Sequence, residues 1–206
     1  MKRILSILFA MLCTHIVCAQ NTEGTEFWLT FMSNQNSSEG TPGLVLKLIA
    51  SARQDATLTV TNPQTGYSAS FDVTANTIAE FEVPHEQGYT SRSGSVSQRG
   101  LRVTSTTPVS LYASNFQEHT YDATIVLPSA ALGMDYIAQM YESDYGAKEI
   151  AIVATQDNTS LTIIPHARTT SLARTRCTFC GPSQCRRELS NHVHGRQFLR
   201  NANPIQ

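Results

Sequence analysis

Apolar and polar residues alternate with a period of two through most of the stretch from Glu26 to Ile164, the spacing that sends successive side chains to opposite faces of a β-strand. The alternation predicts strands at 26–33, 44–51, 57–61, 67–73, 77–83, 101–105, 109–114, 123–127, 136–141, 149–154 and 160–164. Turn residues fall between them: Asn62-Pro63-Gln64-Thr65-Gly66 reads as a turn and Thr155-Gln156-Asp157-Asn158-Thr159 as a short hairpin loop. Pro84, Pro128 and Pro165 stand at strand ends, where a missing N–H does least harm. A helical turn near 129–134 is the only helix predicted, and the Ser/Gly/Arg-rich 89–100 reads as a mobile loop.

Many short strands rich in Thr and Val predict an all-β fold, an antiparallel β-sandwich or a partly open barrel. Ala56-Thr-Leu-Thr-Val60 and Thr159-Ser-Leu-Thr-Ile163 share a pattern after a turn, which admits two related β units in tandem. In Glu26-Phe-Trp-Leu-Thr-Phe31 the more apolar set is Phe27, Leu29 and Phe31, so this set predicts the buried face and leaves Trp28 on the other, where a loop would cover it.

Ahead of the first strand, Lys2 and Arg3 precede a mostly apolar run to Val17, and Val17-Cys18-Ala19 supplies small residues before Gln20. This predicts a signal peptide over 1–19, cleaved after Ala19, and a secreted or cell-surface product of 187 residues with no later membrane span. Lipidation at Cys18 or Cys13 would need a small residue where Val17 or Leu12 stands. From Gln20 to Pro165 the chain holds 6 Lys/Arg against 15 Asp/Glu, an acidic balance that disfavours a nucleic-acid partner. This β domain, 20–165, has no cysteine, so packing and sheet hydrogen bonds must hold it.

The segment 166–206 differs in kind, with 7 Arg, no Lys, one Glu and three cysteines, and no apolar period. Cys177-x-x-Cys180 with Cys185, His192 and His194 has a zinc-like spacing, though the His-x-His half is unusual for such a site. A disulfide of Cys177 or Cys180 with Cys185 would leave one thiol over. A third reading is a shifted reading frame. Residues 188–198, ELSNHVHGRQF, can be back-translated so that the neighbouring frame encodes SYQITSTAGN, an alternating strand followed by a turn. On each reading the tail is expected to be irregular, and the gene sequence distinguishes them.

Chemical motifs are scarce. The sequence has no Gly-x-Ser-x-Gly, no His-Glu-x-x-His and no Gly-rich phosphate loop. His119, Asp122 and Ser114 could be drawn as a triad but read as solvated turn residues; Glu80 and Glu82 alternate on one strand face toward solvent. No enzyme activity and no cofactor is expected, although Asp122, Asp135, Asp144, Asp157 and Asn158 in loops could hold calcium. Among the aromatic residues Trp28, Tyr67, Tyr89, Tyr112, Tyr121, Tyr141 and Tyr145, those expected in loops are Tyr89, Tyr121 and Tyr145. With Glu118, His119 and Asp122 they form the set expected to contact a partner.

An ordered series of motifs carries a resemblance. Gly24-Thr-Glu-Phe-Trp-Leu-Thr-Phe31, Gly100-Leu-Arg-Val-Thr-Ser105, Pro108-Val-Ser-Leu-Tyr-Ala-Ser-Asn115, Asp122-Ala-Thr-Ile-Val-Leu-Pro128, Leu132-Gly-Met-Asp-Tyr-Ile137 and Ile152-Val-Ala-Thr155 follow one another. Together they resemble the N-terminal domain of the IgGFc-binding protein family, as found in exported proteins of Bacteroidetes-type bacteria. The resemblance implies an all-β, non-catalytic adhesion-type module that binds a host or environmental glycoprotein or other protein. It also implies a fragment of a larger surface protein, since bacterial members usually continue into further repeats. The competing expectations are a carbohydrate-active protein, either binding module or glycoside hydrolase, and a structural subunit of the cell envelope.

Overall fold

A computed structural model describes residues 21–34, 40–90, 96–138, 149–156 and 159–163, and the backbone of three strands beyond them. In chain order the elements are β1 (Glu23–Leu29), β2 (Phe31–Met32), β3 (Val45–Ala52), β4 (Ala56–Asn62), β5 (Tyr67–Val73), β6 (Ile78–Glu82), the single-turn α1 (His85–Gly88), β7 (Tyr89–Thr90), β8 (Leu101–Gln117), β9 (Thr120–Val126), a 3-10 turn (Ser129–Ala131), β10 (Asp135–Tyr136), β11 (Ser160–Ile163), β12 (Thr175–Cys180), β13 (Gln184–Leu189) and β14 (Leu199–Ala202). The fold is all-β.

The organising element is β8. Its 17 residues span what the sequence divides into two strands. Along one edge β4 pairs with its first part, Thr61 against Arg102 through Leu58 against Ser105, and β3 pairs with its second part, Ala52 against Val109 through Val45 against Phe116. The other edge is shared by β1 and β9. The register leaves Thr106, Thr107 and Pro108 without a ladder partner on either edge. Pro108 therefore sits in a strand without costing a ladder hydrogen bond. The two threonines instead serve the β3–β4 turn: Thr106 Oγ1 accepts from the Thr57 amide at 3.0 Å, and Thr107 Oγ1 donates to the Asp55 carbonyl at 3.4 Å.

β5 flanks β4 and β6 flanks β3, giving seven antiparallel strands that share β8. The sheet curls so that its outer strands meet, with Phe71 of β5 stacked on Phe81 of β6 at 5.1 Å between ring centroids. The expected sandwich is thus one sheet bent through β8 into a nearly closed barrel. Leu46, Leu48, Leu58, Val60, Leu101 and Leu111 lie at the centre of its core, fully buried. Phe27, Leu29 and Phe31 are buried and Trp28 is partly buried on the opposite side of β1, as the alternation predicts.

Two close approaches fix the rim. Pro128 bridges to Phe27 on β1, and a Cβ on Gly24 would lie 2.3 Å from the Pro128 Cβ. Only glycine lets the strand and the proline come this near. Beyond the 3-10 turn, the Gly133 amide donates to the Tyr136 hydroxyl at 2.9 Å and closes the Leu132–Tyr136 corner.

Several expectations are corrected. The predicted 26–33 strand is broken at Thr30, whose hydroxyl donates to the Gly88 carbonyl at 3.0 Å, because β1 pairs with β8 while β2 turns to run parallel to β7. Residues 149–154, predicted as a strand, join no ladder; Ile150 to Ala154 form an unbroken apolar run and all five are partly buried. Of the predicted 136–141 strand only Tyr136 is in β10, and 139–141 lie outside the described residues. Segment 166–206, expected to be irregular, contributes β12, β13 and β14 to a second, five-stranded sheet ordered β10-β14-β11-β12-β13. The echoed segments thus fall in different sheets, one in β4 and one in β11.

Val153 comes close to the residue before β8: its Cγ1 would lie 3.4 Å from a Cβ on Gly100. Glu149 is exposed as a residue, yet loss of solvent around its carboxyl raises its pKa above the ordinary value, against hydrogen bonds with Ser33 that lower it. A raised carboxyl pKa means that the folded state binds the proton more tightly than the unfolded one. This contribution to stability is therefore greatest at low pH and is lost as pH rises through the carboxylate range. Glu149→Gln is expected to raise Tm at pH 7 by no more than about 2 °C, the group being exposed and screened. Thermal unfolding at pH 3.5 should show the gain removed.

Candidate interaction face

The hairpin of β8 and β9 turns through Glu118 and His119, with Gln117 opposite Thr120. His119 takes a positive φ of 75°, a conformation that costs most side chains but that His adopts more readily than β-branched residues. Both turn side chains stand in solvent, their charged ends 3.6 Å apart when His119 is protonated. Because the ladder runs to the turn, Tyr121 and Asp122 are strand residues and not loop residues.

Cross-strand register sets what this hairpin displays. Tyr112 stands opposite Ile125, Ser114 opposite Ala123 and Phe116 opposite Tyr121; directly opposed residues share a face. On β3 the same row continues with Ile49 beside Tyr112 and Val45 beside Phe116. These side chains point away from the core, since the residues between them, Leu111 and Ala113, are buried. Tyr112, Phe116, Tyr121 and Ile125 are 42%, 43%, 59% and 36% exposed. Phe116 and Tyr121 pack as a tilted pair at 6.2 Å. One sheet face thus holds three aromatic rings and an isoleucine open to solvent. Isolated surface apolar residues are ordinary, but a contiguous set marks an interaction surface.

On β3 a charged residue stands within the row, between Val45 and Ile49. Lys47, next to Ser114 in the register, forms an ion pair with Glu80 at 2.6 Å, and the hydrogen bond to Glu80 raises the lysine pKa. The opposite side of the hairpin is polar and anchored: Asn115 Nδ2 donates to the Met32 carbonyl at 2.7 Å, Asn34 Nδ2 to the Asn115 carbonyl at 3.1 Å, and Thr120 Oγ1 to Asn34 Oδ1 at 2.7 Å. These bonds hold the hairpin as a rigid support for its apolar side.

Of the residues expected to touch a partner, Glu118, His119, Tyr121 and Asp122 come together on this hairpin. Tyr89 does not: it is 2% exposed, because the parallel pairing of β7 with β2 lays it beside Phe31 in the core. Tyr145 lies outside the described residues. Tyr112, Phe116 and Ile125 are absent from the expected set. Their signal was the parity of β8, which buries Leu101, Val103, Val109, Leu111 and Ala113 and turns Tyr112 and Phe116 to the other side, where the small Ser114 between them is buried. The triad drawn from His119, Asp122 and Ser114 does not assemble, since Ser114 pairs with Ala123 and Asp122 with Asn115, on opposite faces of the hairpin. Among the described residues no three His, Cys, Asp or Glu side chains are grouped to hold a metal ion. Asp144, Asp157, Asn158, His192 and His194 lie outside them.

Fold and face define an all-β protein that presents a supported apolar surface. The family model described as IgGFc binding protein matches residues 122–183. Over that stretch, from β9 of the hairpin to just past β12, the chain is similar to this family; the motifs between Gly24 and Ser105 lie ahead of it. The match is to a family of binding proteins rather than of enzymes. No curated protein and no solved structure matches the chain.

Proposed function

We propose that this chain is an exported, non-catalytic interaction module that binds a glycoprotein, through protein or glycan, on the outer face of the β8–β9 hairpin. The observation that carries the reading is the exposed row of Tyr112, Phe116, Tyr121 and Ile125 on a hairpin pinned from behind. Aromatic anchors dominate binding energy at interfaces and also stack on sugar rings. The family name supports a protein partner, and the basic and apolar start of the chain supports export. No helix among the described residues is long and apolar enough to cross a membrane.

The test is binding to immunoglobulin Fc, with its glycan intact or removed, and to an array of free glycans. Phe116→Ala with Tyr121→Ala should weaken binding by roughly thirtyfold or more and leave Tm within a few degrees, because both side chains are solvent-exposed. Loss of binding on deglycosylation assigns the glycan as the ligand. Unchanged affinity in the double variant sinks the assignment of this face. Glycan turnover abolished by a single carboxylate substitution would establish the carbohydrate-active alternative instead.

A further inference from the structure

The face described above ends at an open strand edge. β8 occupies one edge of β9, and the other enters no ladder among the described residues. Tyr121, Asp122, Ala123, Thr124 and Ile125 are all exposed, so both sides of this strand are accessible as well as its edge. Sheet edges are ordinarily blunted by lysine, proline, a bulge or several charges. Thr120–Val126 has no lysine and no proline, pairs with β8 without a register shift, and carries one charge, Asp122.

Reversed about Ala123, the strand is complementary to itself. Tyr121 meets Ile125 of a second copy, Asp122 meets Thr124, and Ala123 meets Ala123. The first is an aromatic against a β-branched side chain, a favourable cross-strand pair that the hairpin already uses at Tyr112 and Ile125. The second gives the lone carboxylate a hydroxyl donor. Other centres are worse: about Asp122 two carboxylates would face each other, and about Thr124 the carboxylate would lie against Val126. We propose that β9 pairs antiparallel with β9 of a second copy across a two-fold axis at Ala123, joining two seven-stranded sheets edge to edge.

Such pairing satisfies the free backbone groups of both edges and extends the apolar row, so that Tyr112 and Ile125 of one copy run on into Tyr121 and Phe116 of the other. It uses the edge of β9, whereas the partner-binding reading uses its face; the dimer presents two such faces side by side, raising avidity for a repetitive ligand.

Sedimentation velocity of the full chain at concentrations up to about 100 µM tests the pairing. The wild type should sediment as a dimer. Ala123→Lys sets two ammonium groups against each other at the axis and Ala123→Glu two carboxylates, so each alone should self-associate at least roughly a hundredfold more weakly. Their equimolar mixture should regain the dimer, as lysine then faces glutamate. Ala123 is exposed in the single copy, so circular dichroism and Tm should match the wild type, which separates loss of pairing from loss of fold. A wild type that stays monomeric, a dimer that Ala123→Lys leaves intact, or a mixture that fails to associate overturns the proposal. Partner binding by Thr124→Asp, which would face Asp122 of the second copy and lies on the side of β9 away from Tyr121 and Ile125, tests the face independently of the edge.

Discussion

Asn62→Ala is expected to lower unfolding free energy by about 3 kcal/mol, equivalent to roughly 6–12 °C in Tm for a domain of this size. Asn62 is 0% exposed at the end of β4. Its Nδ2 donates to two carbonyls, Gln87 and Gln98, each at 2.9 Å, while its Oδ1 accepts from the Gln64 amide at 3.0 Å. Its own carbonyl accepts from Gly66 at 3.0 Å, and Gly66 has φ 76°, closing the β4–β5 turn. One side chain therefore ties the turn to α1 and to the segment that leads into β8. Alanine removes all three side-chain bonds and leaves their partners to find water. Asn62→Asp is the sharper variant, because it keeps the acceptor for Gln64 and turns a carboxylate oxygen toward two carbonyls. At neutral pH it should be at least as destabilising as alanine, and its stability should recover partly at acid pH, where the protonated carboxyl can donate again. Denaturant unfolding at both pH values, with limited proteolysis of the 91–98 stretch, measures this. Equal stability of Asn62→Ala and wild type would show that the side chain does not hold these segments together.

Gly24→Ala is expected to cost about 1–3 kcal/mol although it adds a single methyl group. The new Cβ would meet the Pro128 Cβ at 2.3 Å and its Cγ at 3.1 Å. The pyrrolidine ring cannot rotate away as a flexible side chain would. Relief requires separation of β1 from Pro128, and with it loss of the Phe27–Pro128 bridge. The check is a double-mutant cycle. Pro128→Gly removes the opposing Cβ, so the double variant should be more stable than the sum of the single effects by about 1–2 kcal/mol. Strict additivity would show that the two residues do not press on each other in solution.

Much of the fold was legible because β3 and β4 bury one face fully and β5 and β6 bury one face in part, and burial of one face forces a period of two. β3, β4, β5 and β6 lie within a residue or two of their predicted ends for that reason. Where burial does not alternate, the pattern misled. Ile150 to Ala154 form an apolar run of strand length, but a strand needs a ladder partner as well as a composition, and that stretch has none among the described residues. The pattern separates 101–105 from 109–114, yet the gap at 106–108 falls within β8, where it changes partners and Pro108 need supply no donor. Tyr89, among polar neighbours, carries no local sign of burial; a two-residue parallel pairing with β2 places it in the core.

The candidate face divides in the same way. Glu118, His119, Tyr121 and Asp122 could be found as a polar, aromatic break between two strands. Tyr112, Phe116 and Ile125 could be assigned to the surface only after parity was carried through β8 as one strand. Their assembly into one row depends on the register of β8 with β9 and β3.

By itself the sequence determined the β class, the positions of the long strands, the face of β1 that is buried and the family resemblance, all of which follow from local pattern and residue order. Tertiary structure decided what pairing alone can decide. It made β8 one strand common to both halves of the sheet, and it locked Gly24 against Pro128. It buried Tyr89, and it aligned the aromatic residues of a hairpin beside an edge that enters no ladder among the described residues. Hydrogen-bonded register joins residues far apart in the chain, and a period of two says which way a side chain points but not which side chain it will stand beside.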